Sequence, residues 1–207
     1  MPGTVTMNRR LALAGLAASS FSLASAQAAT PKTQHVSSPL LGNATAPKRL
    51  ILWGSLTCPF TAMLVSNLIQ IQKDMPKLVS IEWRHFPTHP PDPGLHVAAL
   101  AFTGPTFWSF ISAVLHFVYA ADGQYAGLTD AKIVEIAKSL GGTQSLVEAA
   151  WANKAKWSVV RSDLIAGRLM GVTKTPGLFY NGYFLTPDGI PVDANGFDRS
   201  LRSMVLA

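Results

Sequence analysis

From Arg49 to Leu56 the chain runs through leucine, isoleucine and tryptophan with hardly a polar break. A short apolar run bounded by turn residues predicts a strand covered on both faces. The period then changes. Met63, Leu64, Leu68, Ile71 and Met75 recur at spacings of one, three and four as far as Pro76, which predicts a helix. Thr57 stands where an N-cap would, and Pro59 lies in the first turn, where its missing N–H costs nothing. Between Leu78 and Phe86, Val79, Ile81 and Trp83 alternate with Ser80, Glu82 and Arg84, the period of a second strand. Pro87, Pro90, Pro91 and Pro93 then predict a loop.

From Gly94 to about Leu169 the pattern is mainly helical. Gly104-Pro105, Asp122-Gly123 and Gly141-Gly142 cut it into several helices, with Thr129 and Thr143 as caps. Strand character returns at Gly177–Tyr180 and Tyr183–Leu185, which flank Asn181-Gly182, a strong hairpin signal. A short helix over Asp198–Leu206 closes the chain. Strand, helix, strand, helical block, hairpin and helix predict an α/β fold. It has one mixed central sheet, helices on both faces and an inserted helical block at about 94–169.

The N-terminal region is different. Arg9 and Arg10 precede an uncharged Ala- and Leu-rich stretch, Leu11–Ala26, and Ser25-Ala26-Gln27-Ala28-Ala29 offers small residues for cleavage near Ala28. That is the layout of a secretory signal over 1–28, followed by a proline-containing, extended lead-in over 29–47 and a domain over 48–207. No Phe follows the arginines at the twin-arginine position, so a general secretory leader is the better match. The apolar run is short for a spanning helix, and no stable membrane insertion is expected after cleavage. The destination is then periplasmic or secreted.

Composition narrows the classes. With 48% hydrophobic and 14% charged residues the chain is a packed globular protein, not a disordered one. The net charge of +6 falls to +4 without Arg9 and Arg10. The remaining basic residues are scattered, without the stripe of a nucleic-acid binder, so no nucleic-acid partner is expected. His85, His89 and His96 cluster in sequence, but Pro87 and Pro90–Pro93 argue against the helix that would align them on a metal. They are read as surface or strand-end histidines, His85 near the sheet end that carries Cys58, and no metal is expected. Phe102, Phe107, Trp108, Phe110, Phe117 and Tyr119 are read as core of the helical block.

The chain has one cysteine, so no intramolecular disulfide can form. A lone thiol sent to an oxidising compartment is either buried and inert or kept for its reactivity. Cys58 lies directly between the first strand and its helix, where free N–H groups and the positive end of the helix dipole favour a thiolate. The alternative is a small buried hydrophobe at a strand end. Thr175-Pro176, just ahead of the hairpin, is a candidate cis peptide, or else an ordinary trans proline entering an edge strand.

Taken in order, Leu41–Pro47, Cys58-Pro59-Phe60, Phe107–Phe110, Gly171-Val172, Thr175-Pro176, Phe179 and Asn181-Gly182 resemble the DsbA-type branch of the thioredoxin superfamily, the bacterial periplasmic thiol–disulfide oxidoreductases. The resemblance implies a thioredoxin-like fold. It implies that Cys58 is an exposed nucleophile, that Pro59 and Phe60 tune it, and that Pro176 is a cis-proline facing the sulfur. Thr175 would pair through its backbone with an extended substrate, and the helical block would roof an apolar groove.

One position departs from the family. Its second active-site cysteine falls at Thr61, which cannot attack a mixed disulfide, and Ile51–Leu56 supplies no acid beneath the site. Dithiol chemistry within one chain is excluded. The leading expectation is a monothiol oxidoreductase or isomerase. Cys58 would form mixed disulfides with protein or peptide thiols, Thr61 would donate a hydrogen bond to the thiolate, and glutathione or another external thiol would resolve the adduct. No bound cofactor is expected. A peptide-binding or chaperone module without redox activity is the alternative, and peroxide chemistry at Cys58 a third reading that lacks an identifiable arginine. One such thiol per chain also permits an intermolecular disulfide and hence a homodimer.

Overall fold

The computed structural model describes residues 38–120, 127–186 and 194–206, and the side chains of Tyr119 and of 194–197 are outside that set. The leader, the lead-in up to residue 37 and the Asp122-Gly123 break lie outside the described residues.

The elements are β1 (Leu40–Leu41), β2 (Lys48–Gly54), α1 (Pro59–Asp74), β3 (Val79–His85), α2 (Asp92–Ala99), α3 (Gly104–Ala120), α4 (Asp130–Ser139), α5 (Gln144–Ala152), α6 (Lys154–Leu169), β4 (Gly177–Tyr180), β5 (Tyr183–Phe184) and α7 (Ala194–Leu206). The strands form one sheet in the order β1-β3-β2-β4-β5. β2 and β3 are parallel, and the other pairs antiparallel. This is the thioredoxin-like mixed sheet, with β2 at its centre.

The apolar run of β2 splits between two cores by side-chain alternation. Leu50 and Leu52 join the large core with α1, α3, Trp83 and the α7 residues Leu201 and Val205. Ile51 and Trp53 face the other way, into a smaller cluster with Phe86, Val172, Leu164 and Phe179. Gly54 at the end of β2 makes room for Trp83, since a Cβ there would stand 2.3 Å from the indole. Of the aromatics read as core, Phe102, Phe107, Trp108 and Phe110 are buried, and Phe117 packs at the edge of the large core.

β3 forms as its alternation predicts and is buried on its polar side too, where α6 packs against it. Ser80 and Glu82 are buried there. Arg84 pairs with Glu82 and, at 3.1 Å, with Asp163 of α6, which is how a protein accommodates charge away from water. Asp163 also accepts the His85 backbone N–H at 3.0 Å.

The predicted proline loop forms over residues 86–91, but the helix after it starts two residues before the expected Gly94. α2 begins at Asp92, with Pro91 as the residue before the first turn and Pro93 within that turn, positions that need no N–H donor. His85 stands at the end of β3 as read and is wholly buried, His96 is wholly buried rather than at the surface, and His89 is exposed. The predicted caps form: Thr129 Oγ1 accepts from Lys132 N at 3.3 Å and Thr143 Oγ1 from Leu146 N at 3.1 Å. Asn181 and Gly182 take φ of 50° and 81°, the left-handed pair a two-residue hairpin turn requires.

Candidate active site at Cys58

Cys58 itself opens α1. Its backbone is extended (φ −101°, ψ 119°), Pro59 is the first helical residue, and the Cys58 carbonyl accepts Ala62 N at 3.1 Å. The N-cap is therefore Cys58 and not Thr57, whose hydroxyl is engaged 3.1 Å from both Ser55 Oγ and His89 Nδ1. The cysteine side chain caps nothing. Its Sγ donates across the site to the Thr175 carbonyl at 3.3 Å. The thiol is only 8% exposed, against an expected exposed nucleophile, because this contact and the helix entrance cover it, while Phe60 beside it is 53% exposed and forms the lip.

The Thr175 carbonyl is held by the loop that leads into β4. The Thr175–Pro176 peptide bond is cis. Thr186, buried past the hairpin, accepts Leu178 N at 2.9 Å and donates to the Pro176 carbonyl at 2.8 Å. Gly177 is required there, since a Cβ would stand 2.8 Å from Val172 Cγ1.

The other side of Cys58 is held by Asp92, at the start of α2 and wholly buried. Its Oδ1 accepts Leu56 N at 2.8 Å, and Oδ2 accepts Ser55 Oγ at 2.6 Å and Thr88 N at 2.8 Å. Thr88 Oγ1 donates in turn to Ser55 Oγ at 2.9 Å. Burial alone pushes the Asp92 carboxyl up, but the His96 imidazole and the hydrogen bonds from Ser55 and Thr88 outweigh it, and the net direction is below the ordinary carboxylate value. His96 Nε2 stands 3.2 Å from Asp92 Oδ1, without the alignment of a hydrogen bond. His96 Nδ1 lies 2.8 Å from His85 Nδ1. The Trp83 indole N–H, which can only donate, points at the same His85 nitrogen at 3.3 Å, so that nitrogen accepts. Burial first, then the charges of His96 and Arg84, hold His85 well below the ordinary histidine value, which keeps it neutral.

A groove of about 670 Å³ runs between α1 and α3 from Ala62 and Met63 to Lys73. Ser66, Asn67, Gln70, Ser112 and His116 line it beside apolar groups, so its wall is mixed rather than apolar. Among the described residues no three His, Cys, Asp or Glu side chains are grouped to hold a metal ion, and no helix is long and apolar enough to cross a membrane.

A family model described as thioredoxin matches residues 34–193. The chain belongs to the thioredoxin family. Among solved structures, this thioredoxin-family chain is similar to oxidised BdbD from Bacillus subtilis, at 19% identity and a TM-score of 0.67 over 82% of this chain and 94% of that one. It is similar to the catalytic domain of Proteus mirabilis ScsC, at 16% identity and a TM-score of 0.65 over 84% and 93% of the two chains. It is also similar to α-DsbA2 of Wolbachia pipientis, a thiol–disulfide exchange protein, at 17% identity and a TM-score of 0.61 over 81% and 87%. These TM-scores show a shared DsbA-type fold. No curated protein matches the sequence.

Within that fold, Cys58, Pro59, Phe60, Thr175 and Pro176 come together at one end of the sheet. Thr61 does not join them as expected. It is buried, its Oγ1 has no partner, and its methyl group lies toward Gly54. The hydrogen bond to Cys58 is not made, and Sγ donates to the Thr175 carbonyl instead. The sequence reading missed Asp92, Thr88 and Thr186. Asp92 was detectable in principle: an acid followed by proline is a good first turn of a helix. Thr186 carried no local signal.

Proposed function

We propose that this chain is an exported monothiol catalyst of thiol–disulfide exchange. The observation that carries the reading is Cys58 Sγ at the start of α1, 3.3 Å from the Thr175 carbonyl, in a chain with no second cysteine. In the proposed cycle the Cys58 thiolate attacks one sulfur of a protein disulfide or a glutathionylated thiol. The S–S bond breaks, a Cys58 mixed disulfide forms, and the departing thiolate takes up a proton. A second thiolate then attacks the other sulfur of that mixed disulfide, and Cys58 leaves as the restored thiolate. If that thiol belongs to the substrate, the net result is isomerisation with no redox change. If it is glutathione and the adduct on Cys58 is the glutathione taken from a glutathionylated thiol, that thiol has been reduced and oxidised glutathione leaves.

Thr175 offers its backbone, and Phe60, Pro59 and Pro176 an apolar edge, to an extended peptide. The leader at 1–28 supports delivery to the periplasm or the exterior, where protein disulfides occur. Thr61 at the resolving position keeps the mixed disulfide open to an external thiol.

The test is exchange with a glutathionylated peptide in the presence of glutathione, with acid trapping and mass measurement of the adduct. The wild-type protein is expected to carry one peptide or glutathione on Cys58, and Cys58→Ser to lose both adduct and turnover. Full peptide binding by Cys58→Ala, with no turnover by the wild type, would instead establish the binding-module reading.

A further inference from the structure

The chemistry proposed for Cys58 depends on where its sulfur points, and the structure shows two devices that fix it. One is the Thr175 carbonyl. The other is Asp92, which is remote from the thiol yet bonded to the turn that delivers it. Leu56 N–H and Ser55 O–H both end on its carboxylate, at 2.8 and 2.6 Å. The same turn closes on itself, with Cys58 N donating to the Ser55 carbonyl at 3.4 Å. A carboxylate that bonds both Ser55 and Leu56 therefore constrains the backbone two to three residues ahead of Cys58. It also joins that turn to the opposite loop through Thr88 N, at 2.8 Å. Asp92 is fully buried at the start of α2, so it cannot relax into solvent, and no position in β2 supplies a substitute.

We infer that Asp92 is a positioning residue for Cys58, its carboxylate setting the Ser55–Thr57 turn so that the thiol meets the Thr175 carbonyl. This rests on Cys58 being the reacting group. The carboxylate is the only hydrogen-bonding form that serves all its donors, because a protonated oxygen would face an N–H or O–H instead of accepting from it. The charged and titratable groups on the packed elements are His96 on α2, His85, Arg84 and Glu82 on β3, His89 in the loop, and Asp163 and Lys156 on α6. Lys156 donates to the Leu100 carbonyl at the end of α2. α5 meets α2 through Ala150 and Trp151, without charge.

The test reads the native thiol directly. Alkylation of Cys58 by iodoacetamide and exchange with a glutathionylated peptide are measured against pH in the full chain. Asp92→Asn keeps the size but turns an NH2 group toward donors. It is expected to slow both reactions by at least about tenfold, inside the range that an ångström of misplacement costs. The KM for peptide stays unchanged, since Asp92 touches no substrate, and the loss falls on kcat and on the alkylation rate across the pH range. Val147→Ala, a core truncation on α5, controls for lost stability and is expected to leave both rates unchanged. If Asp92→Asn fails to fold, Ser55→Ala removes one of the donors and slows alkylation about fivefold, the factor one hydrogen bond carries.

Wild-type rates across the pH range in Asp92→Asn, or in Ser55→Ala where that stands in, overturn the inference. Equal slowing by Val147→Ala does so too. If the wild type shows no Cys58-dependent exchange while Asp92→Asn still slows alkylation, the proposed function fails and the positioning role stands.

Discussion

On one side of Cys58 the active-site turn is held by charged and hydroxylic side chains, with the Asp92 carboxylate at their centre. On the other, the Thr175 carbonyl is held by backbone geometry and one neutral hydroxyl, that of Thr186. The contrast teaches how the two sides must respond to change. The Asp92 side depends on a protonation state, so acid and isosteric substitutions reach it. Apart from the Cys58 thiol itself, the Thr175 side has no titratable hydrogen-bond partner among the described residues, so between neutral and acid pH it responds to shape and to lost hydrogen bonds.

The largest effect is expected from removing the acceptor altogether. Asp92→Ala leaves Leu56 N–H, Ser55 O–H and Thr88 N–H unpaired, at about 1–3 kcal/mol for each buried donor. A loss of at least about 3 kcal/mol in the urea-unfolding free energy is expected, and a loss within about 0.5 kcal/mol, the size of a neutral surface change, would break the contrast. Thr186→Val is the matching change on the other side. It orphans the Pro176 carbonyl and Leu178 N–H and should cost about 1–3 kcal/mol, with the same cost at neutral and acid pH.

Acid sharpens the difference further. His85 is neutral in the fold with its value pushed down, so below about pH 6.5 the unfolded chain binds a proton that the folded one does not. Stability therefore falls as pH falls from there. Asp92 is also depressed, so its contribution is complete above the unfolded value of about 3.9 and is lost as pH falls through its lower folded value. Each group contributes a slope of at most about 1.4 kcal/mol per pH unit. Urea midpoints taken down a pH series should show both stages in the wild type and in Thr186→Val. His85→Phe should lose the upper stage and Asp92→Asn the lower.

Local pattern was a reliable guide wherever the physics is local. The apolar run of β2, the periodicity of α1, the caps at Thr129 and Thr143 and the Asn181-Gly182 turn depend on neighbours within a few residues, and each stands where the pattern placed it. The pattern says less where a distant element decides. Ser80, Glu82 and Arg84 showed only as the polar half of an alternation, because nothing nearby says that α6 will bring Asp163 as a partner for Arg84. The proline loop stands, and only its end was misplaced, because Pro93 was read as loop and lies in the first turn of α2.

Cys58 and the Thr175-Pro176 pair could be singled out because each adjoins a recognisable boundary, a strand end and a hairpin. Their meeting across 117 positions of sequence could be expected only by resemblance to a family. Asp92 and Thr186 hold the two sides by contacts 36 and 10 positions away, and hydrogen bonding of that kind leaves no periodic trace. By itself the sequence determined the elements, the single thiol at a helix start and the absence of a second one, since these follow from residue type and short-range order. The tertiary structure alone decided that the thiol is covered, that Thr61 turns away from it and that a buried carboxylate from α2 braces its turn. Those outcomes depend on which surfaces the sheet and helices bring into contact.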